Sequence, residues 1–291
     1  MPTALQLLRL LRPHQWVKNG FVFVGLLFGH AWGDPLRLAL ALKAFAAFCL
    51  LSSGVYVFND WLDRERDRQH PVKRHRPLAS GTLPVPVALA AGALCLAGGL
   101  ALGLAGGFAA PWIFVAYPLL NAAYSLGAKH VVVLDVFIIA AGFMLRLLAG
   151  TVAIGIPPTH WLLLCGLMLT LFLGFAKRRA ELGALVAEGG GHRRVLEQYS
   201  GAMLDQFITV AATGTVVSYA LYTMAAETVA LHGTSWLIGT VPFVLYGLMR
   251  YLFLLHRRGG GGDPARDLLT DPHLIVAFLG WLAAVLALLY R

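Results

Sequence analysis

The sequence predicts an all-α protein, a polytopic membrane helix bundle of about nine transmembrane helices in a single domain over residues 1–291. Three observations predict it. Of the 291 residues, 58% are hydrophobic and 13% charged, with a mean hydropathy of +0.72, far from the composition of an ordinary soluble domain. Apolar runs recur at about 20 residues, the length a helix needs to cross a hydrocarbon core. The polar stretches between them leave no room for a soluble domain.

In chain order the apolar segments are 20–33, 40–58, 85–105, 108–126, 131–154, 160–176, 207–226, 236–255 and 274–290. The first is short, glycine-rich and holds His30, so a re-entrant or tilted helix is an open alternative to a full span there. Residues 1–20 are basic but lack a small-residue cleavage site after an apolar core, and no removable signal peptide is expected. Cys49, Cys95 and Cys165 lie far apart within apolar spans, a placement that fits packed small hydrophobes and neither a metal spacing nor a disulfide. Gly189 to Gly191 and Gly259 to Gly262 read as flexible joints. No Lys-Ser or Lys-Thr pair follows them, so they are not phosphate cradles, and no dinucleotide fingerprint is present.

Charge sets the expected orientation. With nine spans and a cytoplasmic N-terminus, nearly all of the 23 lysines and arginines face inward; Arg37, Lys43 and Arg291 lie outside and Arg146 within a span. That is the positive-inside asymmetry. It places the N-terminus and the connections 59–84, 127–130, 177–206 and 256–273 in the cytoplasm. The net charge of +9 then belongs to one surface, which attracts anionic lipid of the bilayer or a phosphorylated ligand. Nucleic acid is not an expected partner, and self-association into a homo-oligomer is left open.

The connection after the second span reads Asn59-Asp60-Trp61-Leu62-Asp63-Arg64-Glu65-Arg66-Asp67. If the helix continues, Asp60, Asp63 and Asp67 share one stripe at i, i+3 and i+7, with Asn59 a turn before Asp63. Hard divalent cations such as Mg2+ bind through a few carboxylates together with substrate phosphates. The same residues also fit a solvated helix end, because Arg64, Glu65 and Arg66 interleave and pair locally. Next comes His70-Pro71-Val72-Lys73-Arg74-His75-Arg76-Pro77. Its prolines break a helix, so Lys73, Arg74 and Arg76 belong to a loop suited to phosphate or to anionic headgroups. Tyr124 and Lys129 close the fourth span, and Lys177-Arg178-Arg179-Ala180-Glu181 closes the sixth. Topology alone accounts for cations at these ends; a phosphate-binding ring accounts for them equally. Asp135 and Arg146 lie eleven residues apart on the fifth span, three turns along one face. An arginine so deep in a membrane is a functional-site candidate with its partner inside the bundle, or half of a structural ion pair.

These residues resemble the UbiA superfamily of intramembrane transferases, whose NDxxDxxxD motif after the second helix corresponds to Asn59, Asp60, Asp63 and Asp67. The resemblance implies a nine-helix fold, Mg2+ as cofactor held by the three aspartates, and Asn59 beside them in the catalytic group. The superfamily's second acidic motif is replaced by Lys177-Arg178-Arg179-Ala180-Glu181-Leu182. That departure, with Arg12-Pro13-His14-Gln15-Trp16-Val17-Lys18-Asn19, the basic loop, residues 124–130 and Gly142-Phe143-Met144-Leu145-Arg146, is similar to the decaprenyl-phosphate phosphoribosyltransferase branch. It implies phosphoribosyl pyrophosphate as donor and a polyprenyl phosphate as acceptor, at a site facing the cytoplasm of a bacterial inner membrane. The product of that branch is a precursor of arabinosyl donors for the cell wall. The phosphates would then be bound by Lys18, Lys73, Arg74, Arg76, Tyr124, Lys129, Arg146, Lys177, Arg178, Arg179 and Glu181, the cationic group at 177–179 facing the metal-diphosphate clamp. Two other functions remain open at this point: prenyl transfer to an aromatic or other small acceptor, and a non-enzymatic carrier of phosphorylated lipid or metabolite.

Overall fold

The computed structural model describes residues 3–70, 72–188, 194–257, 267 and 270–289. Pro71, Arg193, Arg258, Arg266, Arg291 and the glycine joints at 189–191 and 259–262 lie outside them. All regular structure among the described residues is helical. Seven segments are long and apolar enough to cross a membrane: Pro35–Leu62, Val85–Ala105, Leu134–Ile154, His160–Gly183, Gly201–Met224, Trp236–Arg257 and Pro272–Leu289. The chain is a multi-pass membrane protein, as its hydropathy predicts.

Two of the nine expected spans take other forms. The expected fourth is a 15-residue helix, Trp112–Leu126, with Pro118 inside it; at about 1.5 Å per residue it is shorter than a roughly 30 Å core. The expected first is split between the end of a 3-10 run at Pro13–Phe23, a five-residue helix at Val24–Phe28 and a turn in which His30 has φ 50°. Tertiary packing explains the split. A Cβ on Gly25 would lie 1.7 Å from the Gly150 carbonyl oxygen, so backbone meets backbone there, and Val22 and Leu26 are buried with Ala149 and Ala153.

The chain divides into two compact units, residues 1–129 with 145–157, and residues 130–144 with 158–291. The first contains α1 (Thr3–Leu11), α2 (Val24–Phe28), α3 (Pro35–Leu62), α4 (Arg64–Gln69), α5 (Val85–Ala105) and α6 (Trp112–Leu126). Helix α3 starts where Asp34 accepts hydrogen bonds from the amides of Leu36 and Arg37 at 2.9 and 3.2 Å, with Pro35 in the first turn. Such a cap is worth about 0.5–2 kcal/mol. Ala41, Ala44, Phe48, Leu51 and Val55 then recur at helical spacing into the core. Small residues bring α5 against α3: a Cβ on Gly92 would meet the Val57 side chain at 2.8 Å.

Helix α7 (Leu134–Ala149) begins in the second unit and ends in the first. The second unit continues with α8 (His160–Glu188), α9 (Gly201–Met224), α10 (Ala226–His232), α11 (Val241–Arg257) and α12 (Pro272–Leu289). Its core gathers Leu171, Phe172, Phe175, Leu204, Ile208 and Leu254. Asp271 ties α11 to α12: it accepts from Arg250 Nε and Nη2 at 3.1 and 2.8 Å and from the Leu274 amide at 3.1 Å. The Arg250 hydrogen bond holds the Asp271 carboxyl down at about 2.

Candidate active site

The acidic motif sits where α3 gives way to α4. The backbone does not run through as one helix: α3 ends at Leu62, Asp63 takes φ −92° and ψ 2°, and α4 restarts at Arg64. The Asp63 amide still donates to the Asn59 carbonyl at 2.9 Å and the Asp67 amide to the Asp63 carbonyl at 2.8 Å. The turn spacing predicted for these carboxylates therefore persists across the break.

Each carboxylate meets a cation from another part of the first unit. Arg12 Nη2 donates to both oxygens of Asp60, at 2.6 and 2.7 Å. Arg76 Nη1 bridges Asp60 Oδ1 at 3.0 Å and Asp67 Oδ2 at 2.7 Å. Lys129 Nζ donates to Asp63 Oδ1 at 3.0 Å, and Ser125 donates to Asn59 Oδ1 at 2.5 Å. Asp60 and Asp67 are each 4% exposed, and ions buried to that degree require such partners. The Asp63 side chain keeps 35% of its surface in solvent.

Arg12 carries no phosphate-binding role in the expected set. It stands at the head of the Arg12 to Asn19 motif, before a proline at a helix break, but the resemblance attaches no role to it there, and its partner lies 48 residues away. Its backbone is left-handed, φ 53° and ψ 56°, at a cost of about 1–2 kcal/mol for a residue with a Cβ. The chain around it is stapled to α3: Trp16 Nε1 donates to Ser53 Oγ at 3.0 Å, and Ser53 donates to the Leu11 carbonyl at 2.8 Å. The guanidinium lies 5.2 Å from the Tyr56 ring centre.

Among the other expected residues, Lys18 is half-buried in the 3-10 run, and Lys73 and Tyr124 are half-buried. Arg74 is exposed, with its Nε 3.4 Å from His75 Nε2. Arg146 is buried inside the first unit. It donates to Asn19 Oδ1 at 2.7 Å and to the Tyr117 hydroxyl at 2.9 Å, and it lies over the rings of Phe48 and Tyr117. The partner expected inside the bundle thus includes an amide and a phenol.

Asp135 joins a separate network in the second unit. Arg178 Nε donates to its Oδ2 at 2.7 Å and the Tyr199 hydroxyl to its Oδ1 at 2.8 Å; Arg178 Nη1 donates to Glu181 at 2.5 Å. Arg178, expected to bind phosphate, has 1% of its side chain exposed and Asp135 none, so burial and two carboxylates commit it to this network. The Tyr199 oxygen also accepts from the Val133 amide at 2.6 Å, supporting a β-branched residue at φ 69°. Burial pushes the Tyr199 phenol well above its ordinary range. Of the three cations at 177–179, Lys177 is half-buried and Arg179 Nε donates to Asp205 at 3.0 Å.

A divalent cation depends on the oxygen donors within reach of it. Among the described residues no three His, Cys, Asp or Glu side chains gather closely enough to hold a metal by themselves. Mg2+ does not need such a cage, since one or two carboxylates plus substrate phosphates suffice. Asp63 and Asp67 each retain an oxygen with no partner among the described residues, and both are hard oxygen donors. The donor set fits a Mg2+ that arrives with a diphosphate.

The family model described as UbiA prenyltransferase matches residues 20–267. Over 290 residues the chain is 36% identical to a decaprenyl-phosphate phosphoribosyltransferase of Corynebacterium glutamicum, covering 98% of this chain and 86% of the relative. It is 34% identical over 301 residues to the protein of that name from Mycolicibacterium smegmatis, covering 98% and 92%. In fold it is similar to a UbiA homologue from Archaeoglobus fulgidus solved with GPP and Mg2+, with a TM-score of 0.72, 20% identity and coverage of 98% and 100%.

Proposed function

The chain belongs to the UbiA prenyltransferase family and is a transferase of that superfamily, and on this premise we propose that it transfers 5-phosphoribose from phosphoribosyl pyrophosphate to a polyprenyl phosphate. The observation that carries the reading is the near-full-length similarity to relatives named for that activity. The positive-inside pattern supports a site on the cytoplasmic face of a bacterial inner membrane, and the branch supports a product used for cell-wall arabinan precursors.

In the first unit, Asp63 and Asp67 are the residues we assign to Mg2+. A Mg2+ held by these two carboxylates would supply neutralising charge for a diphosphate leaving group. Lys129 orients Asp63 through its 3.0 Å contact, and Ser125 fixes the Asn59 amide. Arg76, its side chain 31% exposed, presents a planar set of donors suited to phosphoryl oxygens. The acceptor phosphate monoester has a second pKa near ~6, so it attacks as a dianion without a general base. An oxygen of that phosphate bonds to the ribose anomeric carbon, the bond to the diphosphate breaks with its electron pair leaving on pyrophosphate, and the carbon inverts. In the second unit, Lys177 and Arg179 are the cations we assign to phosphate.

The test is a paired-substrate assay on the purified chain. The expected result is pyrophosphate release that requires phosphoribosyl pyrophosphate, a polyprenyl phosphate and Mg2+ together and stops on chelation. Turnover with a prenyl diphosphate and a small acceptor, and none with this pair, would overturn the reading. Neither turnover, with lipid phosphate moved across liposomes, would favour a carrier.

A further inference from the structure

Asp60 differs from its neighbours in the acidic motif. Both of its oxygens are engaged by Arg12, and one of them also by Arg76. Asp63 and Asp67 each have one oxygen engaged. On the cationic side, Arg12 makes its described hydrogen bonds through Nη2 alone and Arg76 through Nη1 alone. A guanidinium has five N–H donors. The remaining nitrogens of both arginines therefore have no acceptor among the described residues, and both side chains are part-exposed. Asp60 is thus spent on two guanidinium groups, which keep planar donor edges available.

The backbone leads to the same place. A left-handed φ favours glycine or asparagine, yet Arg12 occupies it, and the Trp16–Ser53–Leu11 staple holds that conformation against α3. Strain maintained by its surroundings and aimed at an acidic cluster marks a functional position.

We propose that Arg12 binds the diphosphate of the donor and that Asp60 is a positioning residue, holding the guanidinium groups of Arg12 and Arg76 toward that diphosphate and leaving the divalent cation to Asp63 and Asp67. This rests on reading the motif as a diphosphate site. Hydrogen-bonding capacity supports the division of labour. Asp60 occupies one nitrogen of each arginine and leaves the others for phosphoryl oxygens, whereas Asp60 on the metal would make Arg12 share its carboxylate with a dication.

The test uses the purified full chain with Mn2+ and pyrophosphate as probes. Mn2+ binding is followed by electron paramagnetic resonance at saturating pyrophosphate, and pyrophosphate binding by calorimetry at saturating Mn2+. Asp63→Asn is expected to weaken Mn2+ by about tenfold or more, and Asp60→Asn by less than about threefold. Arg12→Gln and Asp60→Asn are each expected to weaken pyrophosphate by about tenfold, the scale of a lost charge-assisted hydrogen bond. Arg12→Lys recovers part of that loss, since it restores charge without the planar fork. The double variant Arg12→Gln, Asp60→Asn removes the buried charge imbalance, so its thermal midpoint returns toward the parent while its pyrophosphate affinity stays low. Loss of Mn2+ in Asp60→Asn equal to that in Asp63→Asn would overturn the proposal. So would parental pyrophosphate affinity in Arg12→Gln or, if the single variants do not fold, in the double variant. Pyrophosphate is the leaving group of phosphoribosyl and prenyl donors alike, so failure of the phosphoribosyl reading would appear in the substrate assay and leave these binding results standing.

Discussion

Both compact units contain an arginine–aspartate assembly, and the two are built oppositely. In the second unit Arg178 and Asp135 are sealed from solvent, and the remaining carboxylate oxygen is taken by Tyr199. In the first unit Arg12 and Arg76 grip Asp60 and Asp67 but keep open edges and part of their surface in water. Sealing makes a pair structural, because breaking it strands a charge in a medium that cannot solvate it. Leaving donors unused at a water-accessible helix end makes a pair fit for a ligand. The residue types are the same; solvent access and unspent hydrogen-bonding capacity separate the roles.

The largest effect should come from breaking the sealed assembly. Asp135→Asn or Arg178→Met alone is expected to cost about 3–5 kcal/mol, read as loss of folded protein in size-exclusion and thermal-melt measurements. Replacing both with apolar residues of similar volume should recover much of it. A sealed pair whose single variants melt like the parent would erase the contrast between the units.

Next is the open assembly. Asp63→Asn should lower kcat/KM by about 10²–10³-fold, as for removal of a group that stabilises developing charge, while the melting temperature changes little, because the side chain is one-third exposed. A well-folded variant with parental turnover would remove Asp63 from the metal site.

The Asp271 junction should respond to acid. Its carboxyl is held at about 2, below the ordinary 3.8, chiefly by the Arg250 hydrogen bond. A depressed folded pKa contributes stability that is fully present above about pH 4 and is lost as pH falls toward 2. Asp271→Asn keeps a capping oxygen and should flatten that acid limb, with a melting shift of about 2 °C above pH 4 that shrinks as pH falls through about 2. An unchanged acid limb would show that the pair contributes nothing.

The smallest effect is expected on the exposed face of α4. Glu65 receives Arg68 Nη1 at 2.8 Å, with both side chains more than half exposed. Glu65→Ala should change stability by less than about 0.5 kcal/mol. A larger change in a melt would mean that exposure alone does not distinguish the ion pairs of this chain.

The long apolar helices could be read from hydropathy because a bilayer imposes a length and a composition on anything that crosses it. The acidic motif was legible for a related reason: Asn59, Asp60, Asp63 and Asp67 are close in sequence, and turn spacing survives even though α3 breaks at Asp63. Segment 20–33 was not legible as a split element, since what divides it is the approach of Gly25 to Gly150, residues distant along the chain.

Pairings between distant residues were the other hidden part. Local pattern marks Arg178 as one more cation in a basic run, and only packing reveals it as the least accessible of them. The same holds for Arg12, whose meeting with Asp60 depends on a left-handed backbone and a staple to α3. The sequence by itself determined that the chain is helical, crosses a membrane repeatedly and carries hard oxygen donors beside cations, because those follow from hydropathy and local periodicity. Tertiary structure decided which carboxylate each cation serves and which ions water can reach, because burial and long-range contact are set by the fold as a whole.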